Sequence, residues 1–258
     1  MWLTVLGANG AVPRPGGACS GYLVQDGGTT ILIDCGTGVY ARLQQHVDPF
    51  ALSAIFISHL HPDHFFDLVP FRYALRYALH GGPPEPPQLW VPLGGIASLE
   101  RFAGSFVARQ DFFGEVFAIR EYDPADAVQV GGMLVTFQET RHYVPSFGIR
   151  VSGSGQFAYS ADTTMCEEAV AVATGADLFL CEATAQESTL EQVKGGHLSA
   201  VQAGEIATRA AVPRLLLTHI WHELDPLISL AEASRAYSGP VEIATEGALY
   251  EVRSSDGR

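Results

Sequence analysis

Residues 58–64 read Ser58-His59-Leu60-His61-Pro62-Asp63-His64, and three of the chain's nine histidines fall inside this one stretch. The preceding run, residues 54–58 (AIFIS), is apolar and β-rich, as expected of a strand buried on both faces. Side chains two apart in extended backbone point to the same side. His59 and His61 are therefore placed to bind one cation from one face as the strand runs out. Pro62 has no N–H with which to extend the ladder, so the chain turns there. Asp63 and His64 then face elsewhere, toward a second cation about 3.5–4 Å from the first. Imidazole and carboxylate donors suit zinc, and manganese or iron also fit them. The competing reading, a histidine-rich surface loop, gives no reason for four polar groups to gather at the end of a buried strand.

A dinuclear site needs more ligands than these four. The remaining histidines are His46, His80, His142, His197, His219 and His222. His142 follows the predicted strand 134–139, His219 follows 214–218, and His197 sits after a Gly-Gly pair just before a predicted helix. Asp162 follows the strand 157–160 in the string YSADT. A lone Asp at a strand end is ordinarily a turn former. A carboxylate there can also bridge two cations with its two oxygens, and the company of the histidines favours that reading.

The 258 residues suffice for a sizeable core. Apolar residues make up 47% and charged residues 17%, which excludes a disordered chain. Predicted strands and helices alternate through two halves of similar length, and the second half repeats the grammar of the first. The expected class is α/β, with stacked sheets and helices outside. Residues 26–28 should close a hairpin, 66–80 should form a helix, 82–88 (GPPEPPQ) a loop, and Ser199 with Gln202 a capping box. No flexible linker separates the halves, so residues 1–258 are expected to form a single domain. Cys19, Cys35, Cys166 and Cys181 are scattered without a CxxC pair, which suggests a reducing, cytoplasmic setting. No run of 18 apolar residues and no signal peptide are evident, so no membrane association is expected.

The ordered set His59-x-His61-x-Asp63-His64, His142 in RHYVPSFG, Asp162 in SADT and His219 in LLLTHI resembles the metallo-β-lactamase superfamily. The strings HYVPSFGIRV, CEAT and GGHLSAVQAGEIA are most similar to its ribonuclease Z-like and small-phosphodiesterase branch. The resemblance covers nearly the whole chain. It implies an αββα sandwich of two mixed β-sheets flanked by helices, with the cations at one edge. It also implies two divalent metal ions, one held by His59, His61 and His142, the other by Asp63, His64 and His219, with Asp162 bridging.

The formal charge of such a site, with a bridging hydroxide as nucleophile, is about +1. A phosphodiester monoanion is attracted to it despite a net chain charge of −13, which argues against general nucleic-acid binding. The leaving alkoxide needs a proton. His197 is the expected donor and Glu182, ending the predicted strand 178–182, its partner, so Asp63, His197 and Glu182 form the catalytic set. The helix after His197 could offer its first N–H groups to a phosphate oxygen. Arg72, Arg76, Tyr73 and Tyr77 on one predicted helix, and the five phenylalanines of 102–117, could line the site or merely pack; His222 is expected at the surface.

Bacterial tRNA-processing members of the family commonly carry an arm between the third His and the bridging Asp. Here His142 and Asp162 are 20 positions apart with Arg150 the sole basic residue between them. The expected substrate is therefore a small or cyclic nucleotide-type phosphodiester. The alternatives are a tRNA 3′-processing endonuclease without that arm, and a lactonase or thioesterase acting on a carbonyl. A homodimer is compatible with the phenylalanine-rich segment.

Overall fold

The computed structural model describes residues 1–79, 81–108, 111–193 and 195–253. The expected α/β class with an αββα sandwich is borne out: two seven-stranded mixed sheets pack face to face with helices outside. The first sheet has the order β14-β1-β2-β3-β4-β5-β6, from β1 (Trp2–Gly7), β2 (Gly21–Asp26), β3 (Thr29–Ile33), β4 (Ala54–Phe56), β5 (Gln88–Pro92), β6 (Ala118–Tyr122) and β14 (Leu249–Glu251). The second has the order β13-β12-β11-β10-β9-β8-β7, from β7 (Ala127–Val130), β8 (Met133–Thr140), β9 (Ser146–Ser152), β10 (Gln156–Tyr159), β11 (Leu178–Glu182), β12 (Leu215–Thr218) and β13 (Val241–Ile243).

The two halves do share one grammar. From β14 to β6 the pairings run antiparallel three times and then parallel three times. From β7 to β13 they run in the same sequence. By this equivalence β3 matches β10 and β4 matches β11. Asp34 follows β3 in a left-handed conformation (φ 57), and Ala161, just before Asp162, follows β10 in the same one (φ 52). Two carboxylates thus leave equivalent strand ends, each at or next to a left-handed residue.

Alternation along each strand divides the core. Tyr22, Val24, Ile31, Ile33 and Phe56 point between the sheets, against Phe137, Ile149, Tyr159 and Leu180. Leu23, Leu32 and Ile55 point the other way, under α1 (Val39–Leu43), α3 (Leu68–Arg76) and α4 (Gly95–Ala103). On the far side Phe179, Cys181 and Leu217 meet α5 (Glu167–Ala173) and α6 (Ala200–Arg209), with α7 (Pro226–Ala236) packed on α6. Because both faces of β4, β11 and β12 are buried, these strands read as unbroken apolar runs. The hairpin at Gly27-Gly28 forms with both residues at positive φ, as a tight reversal between twisted strands requires.

The helix expected over 66–80 is shorter and has a companion. α2 (Pro62–Phe65) starts inside the histidine motif with Pro62 at its first position, and α3 ends at Arg76; His80 lies outside the described residues. Arg72 is buried, donating to the Phe112 carbonyl at 3.0 Å and to Glu115 at 2.5 Å, so it packs rather than faces a substrate. Phe112, Phe113 and Phe117 fill the outer core, which leaves Phe106 as the exposed member of that segment. Among the described residues no helix is long and apolar enough to cross a membrane. All four cysteines are buried and unbridged.

Candidate metal and hydrolytic site

The site sits at one edge of the sandwich, where β3, β4, β10, β11 and β12 end. His59 and His61 follow β4, His142 follows β8, Asp162 follows β10, and His219 follows β12. Asp63 and His64 ride on the short helix α2. His219 takes a left-handed backbone conformation (φ 57), a strained geometry of the kind found at functional sites.

All seven expected ligands come together. His59, His61, His142 and Asp162 form one group, and Asp63, His64, Asp162 and His219 another, with Asp162 common to both. In the second group His64 Nε2 is 3.3 Å from His219 Nε2, 3.5 Å from Asp63 Oδ2 and 3.4 Å from Asp162 Oδ2. His219 Nε2 is 3.1 Å from Asp63 Oδ2 and 3.5 Å from Asp162 Oδ2. Donor atoms bound tetrahedrally at about 2.1 Å lie about 3.4 Å apart, so these spacings fit one cation. In the first group His61 Nδ1 is 3.0 Å from His142 Nε2, and His59 Nε2 is 3.6 Å from Asp162 Oδ2.

The outer hydrogen bonds show which nitrogen of each ring is free. Ser58 Oγ donates to Asp34 at 2.8 Å, so it accepts from His59 Nδ1 at 3.1 Å. His64 Nδ1 donates to Asp34 Oδ2 at 2.8 Å, and His142 Nδ1 to the Gly196 carbonyl at 2.6 Å. The Thr184 hydroxyl donates to Glu182 Oε2 at 2.6 Å, so it accepts from His219 Nδ1 at 2.8 Å. Each of these four imidazoles therefore turns a bare Nε2 lone pair inward, the tautomer a metal ligand needs. Buried His59 Nε2 and Asp162 Oδ1 have no hydrogen-bond partner. A buried polar atom left this way is costly unless a cation completes it. The donor set fits divalent ions.

Charge follows the same plan. Burial pulls His59 well below its ordinary pKa, which keeps the ring neutral. Burial alone would raise Asp63 and Asp162, but facing histidines outweigh it and hold both carboxyls well below the usual range. For His64 burial acts downward, yet Asp162, Asp34 and Asp63 outweigh it and raise the ring; these carboxylates favour positive charge at Nε2, which a cation bound there would supply in place of a proton.

His197 and Glu182 also meet as expected. His197 Nδ1 donates to Glu182 Oε1 at 3.1 Å and lies 3.9 Å from Asp162 Oδ2. Burial acts to lower His197, but attraction to Glu182 dominates and pushes it up to about 9. Glu182 is fully buried and also accepts from Thr163 N at 2.8 Å and Thr184 N at 3.2 Å. The expectation for the α6 terminus needs correction. Ser199 N is taken by the Gln202 side chain, Ala200 N by the Ala185 carbonyl and Gln202 N by Ser199 Oγ. The capping box forms, and for that reason those three donors do not face a substrate.

Asp34, Ser58 and Thr184 were not singled out by the sequence. The only available signal was position: Asp34 ends a strand topologically equivalent to the one before Asp162, and Ser58 and Thr184 adjoin recognised residues. His222 does not line the cavity of about 100 Å³ that His61, Asp63, Asp162, His197 and His219 surround.

Comparison with known proteins agrees with this geometry. Residues 29–220 match the beta-lactamase superfamily domain family. The metallo-β-lactamase fold protein YhfI of Bacillus subtilis is 30% identical over 253 residues, covering 97% of this chain and 100% of YhfI. The YhfI crystal structure superposes with a TM-score of 0.84 at 29% identity, covering 97% of this chain and 99% of that one. An uncharacterized protein of Mycobacterium tuberculosis, Rv1339, is 34% identical over 263 residues, 97% of this chain and 92% of that protein. Ribonuclease Z of Myxococcus xanthus is 26% identical over 305 residues, covering 98% of each. With the fold, the two histidine–aspartate groups and these matches together, the chain belongs to the metallo-β-lactamase superfamily and is a metallo-hydrolase.

Proposed function

We propose that the protein is a phosphodiesterase acting on small or cyclic nucleotide-type phosphodiesters, with two divalent ions, zinc by preference, held by His59, His61, His142, Asp63, His64, His219 and the shared Asp162. The observation that carries this reading is the His197–Glu182 pair, a cationic acid 3.1 Å from its carboxylate partner and next to the shared ligand. An alkoxide is a poor leaving group and needs a proton in the transition state, whereas a thiolate does not. When bound, the ions would supply an activated water and positive charge facing the negative charge that develops on the phosphoryl oxygens.

The chain's own residues do the rest. Glu182 keeps His197 protonated and aims its ring toward the shared carboxylate. Asp34, Ser58, Thr184 and the Gly196 carbonyl hold the ligand rings in register, so little reorganisation accompanies the reaction. Asp63 contributes as ligand and as part of the negative wall that orients attacking water. The reading includes a single hydrolase domain over residues 1–258.

Ribonuclease Z relatives favour a second reading, RNA 3′-end cleavage. Against it stand the net charge of −13 and the interval from His142 to Asp162, which is filled by the hairpin β9–β10 and carries no arm. A panel of bis(p-nitrophenyl) phosphate, cyclic nucleotides, precursor tRNA, a lactone and a thioester tests the assignment. The highest kcat/KM should fall on a small phosphodiester; a lactone or thioester optimum overturns it.

A further inference from the structure

The cavity enclosed by the ligands, about 100 Å³, takes little more than the reacting phosphoryl group, so the organic part of a substrate must lie outside it. A cleft of about 450 Å³ adjoins it and shares Thr184, Val193 and Trp221 as walls. That volume is in the usual range of small-molecule sites. Among the described residues the other cavities of comparable size, around Arg14, Leu60 and Arg214, share no wall with the ligand cavity. Position therefore selects the Trp221 cleft.

The cleft is built rather than incidental. Arg14 Nε donates to the His222 carbonyl at 3.0 Å, and its NH2 group donates to the Leu224 carbonyl at 2.6 Å. Trp221 N donates to the Thr184 carbonyl at 3.2 Å, which ties the indole's backbone to the ligand shell. Trp221, Leu224, Val193 and Ala185 make the cleft largely apolar, and Glu223 stands at its side. The Trp221 indole N–H donates to Glu223 Oε2 at 3.3 Å, while Oε1 is 4.0 Å from the nearest histidine nitrogen, beyond hydrogen-bond reach. An ionised carboxylate only accepts, so it favours N–H donors and repels further anionic groups.

Resting on the phosphodiesterase reading above, we propose that this cleft is the specificity subsite of that activity. It seats the base of a nucleoside phosphodiester against Trp221, with the amino edge of the base, as in adenine or cytosine, toward Glu223. A flat aromatic base suits an indole wall. The carboxylate selects against uracil, which presents carbonyls, and against polyanionic extension of the substrate.

The test compares the 3′,5′-cyclic phosphates of adenosine, cytidine, uridine and base-free ribose as substrates of the metal-loaded protein. Base-bearing compounds should exceed the base-free compound in kcat/KM by about tenfold, the scale of a stacked base, and adenosine and cytidine compounds should exceed the uridine compound by about tenfold, the scale of one hydrogen bond to a charged group. Trp221→Ala should collapse the ratio of base-bearing to base-free substrate, and Glu223→Gln the ratio of cytidine to uridine. In parallel, tryptophan fluorescence of the same protein is titrated with adenosine and with uridine. Adenosine should bind about tenfold more tightly, and Glu223→Gln should abolish the difference. Hydrolysis with no preference among bases, or equal nucleoside binding, overturns the subsite and leaves the phosphodiesterase reading intact. Adenosine-selective binding without turnover of any phosphodiester overturns the phosphodiesterase reading and retains the subsite.

Discussion

Asp34 Oδ2 accepts a hydrogen bond from His64 Nδ1 at 2.8 Å, and both side chains are fully buried. Asp34 also accepts from Ser58 N at 2.7 Å, Ser58 Oγ at 2.8 Å and the Tyr159 hydroxyl at 3.1 Å. One carboxylate thus orients His64 directly and His59 through Ser58, reaching both ligand groups without belonging to either. Partners of this kind typically change metal affinity by 10–100-fold. Asp34→Asn should weaken binding by about that factor with the fold retained. Competition against a chromophoric chelator measures it, and an unchanged affinity would remove Asp34 from the account.

The His197–Glu182 pair, proposed as the proton donor, makes a different prediction. His197→Ala and Glu182→Gln should lower kcat by about 10²–10⁴-fold, the range for a positioned general acid. The metal content should stay at the wild-type value for His197→Ala. The loss should be larger for an alkyl leaving group than for p-nitrophenolate, which departs without a proton. Equal losses on both would assign the pair a structural role.

How far the sequence reveals this site depends on where the information lies. His59, His61, Asp63 and His64 are legible because a period of two and a proline sit inside a single motif. His142, Asp162 and His219 are legible because each follows an apolar run. Asp34 and Thr184 act through partners 30 and 35 positions away, and no local pattern reports such a contact. The strands β6 and β7 are not legible in the sequence because both are sheet edges with short, mixed-polarity sequences, AIREY and AVQV. The helix α7 escaped notice too, although Asp225 before Pro226 is an ordinary helix start, its carboxylate accepting from Leu227 N at 2.9 Å.

Gly36 supports α2 by having no side chain. A Cβ there would sit 1.9 Å from the Asp63 carbonyl oxygen, a backbone atom that cannot step aside cheaply. Gly36→Ala should therefore displace Asp63 and His64 together, costing about 1–3 kcal/mol as overpacking does. A lowered urea midpoint accompanied by loss of bound metal is the expected result. Wild-type stability and metal content would show that α2 is free to shift.

Asp26 joins the two sheets by accepting from Ser154 N and Oγ, each at 2.7 Å. Burial acts to raise its pKa, but these bonds prevail and hold the carboxyl below its ordinary value. A depressed folded-state pKa means stability that is present above the unfolded value, about 3.9, and lost as pH falls through the lower folded value. Asp26→Asn should be destabilised by about 1 kcal/mol at pH 7. The difference from wild type should shrink in urea unfolding near pH 3. A difference that does not depend on pH would assign the effect to packing.

The central claim is that two ions, sharing Asp162, act together on a phosphodiester. Metal-stripped protein titrated with zinc or manganese while bis(p-nitrophenyl) phosphate hydrolysis is followed tests it most directly. Activity should be absent at the start and rise to a plateau at two equivalents per chain, and Asp162→Ala should lack that plateau. Two ions bound with no phosphodiester turnover, or full activity at one equivalent, would contradict it.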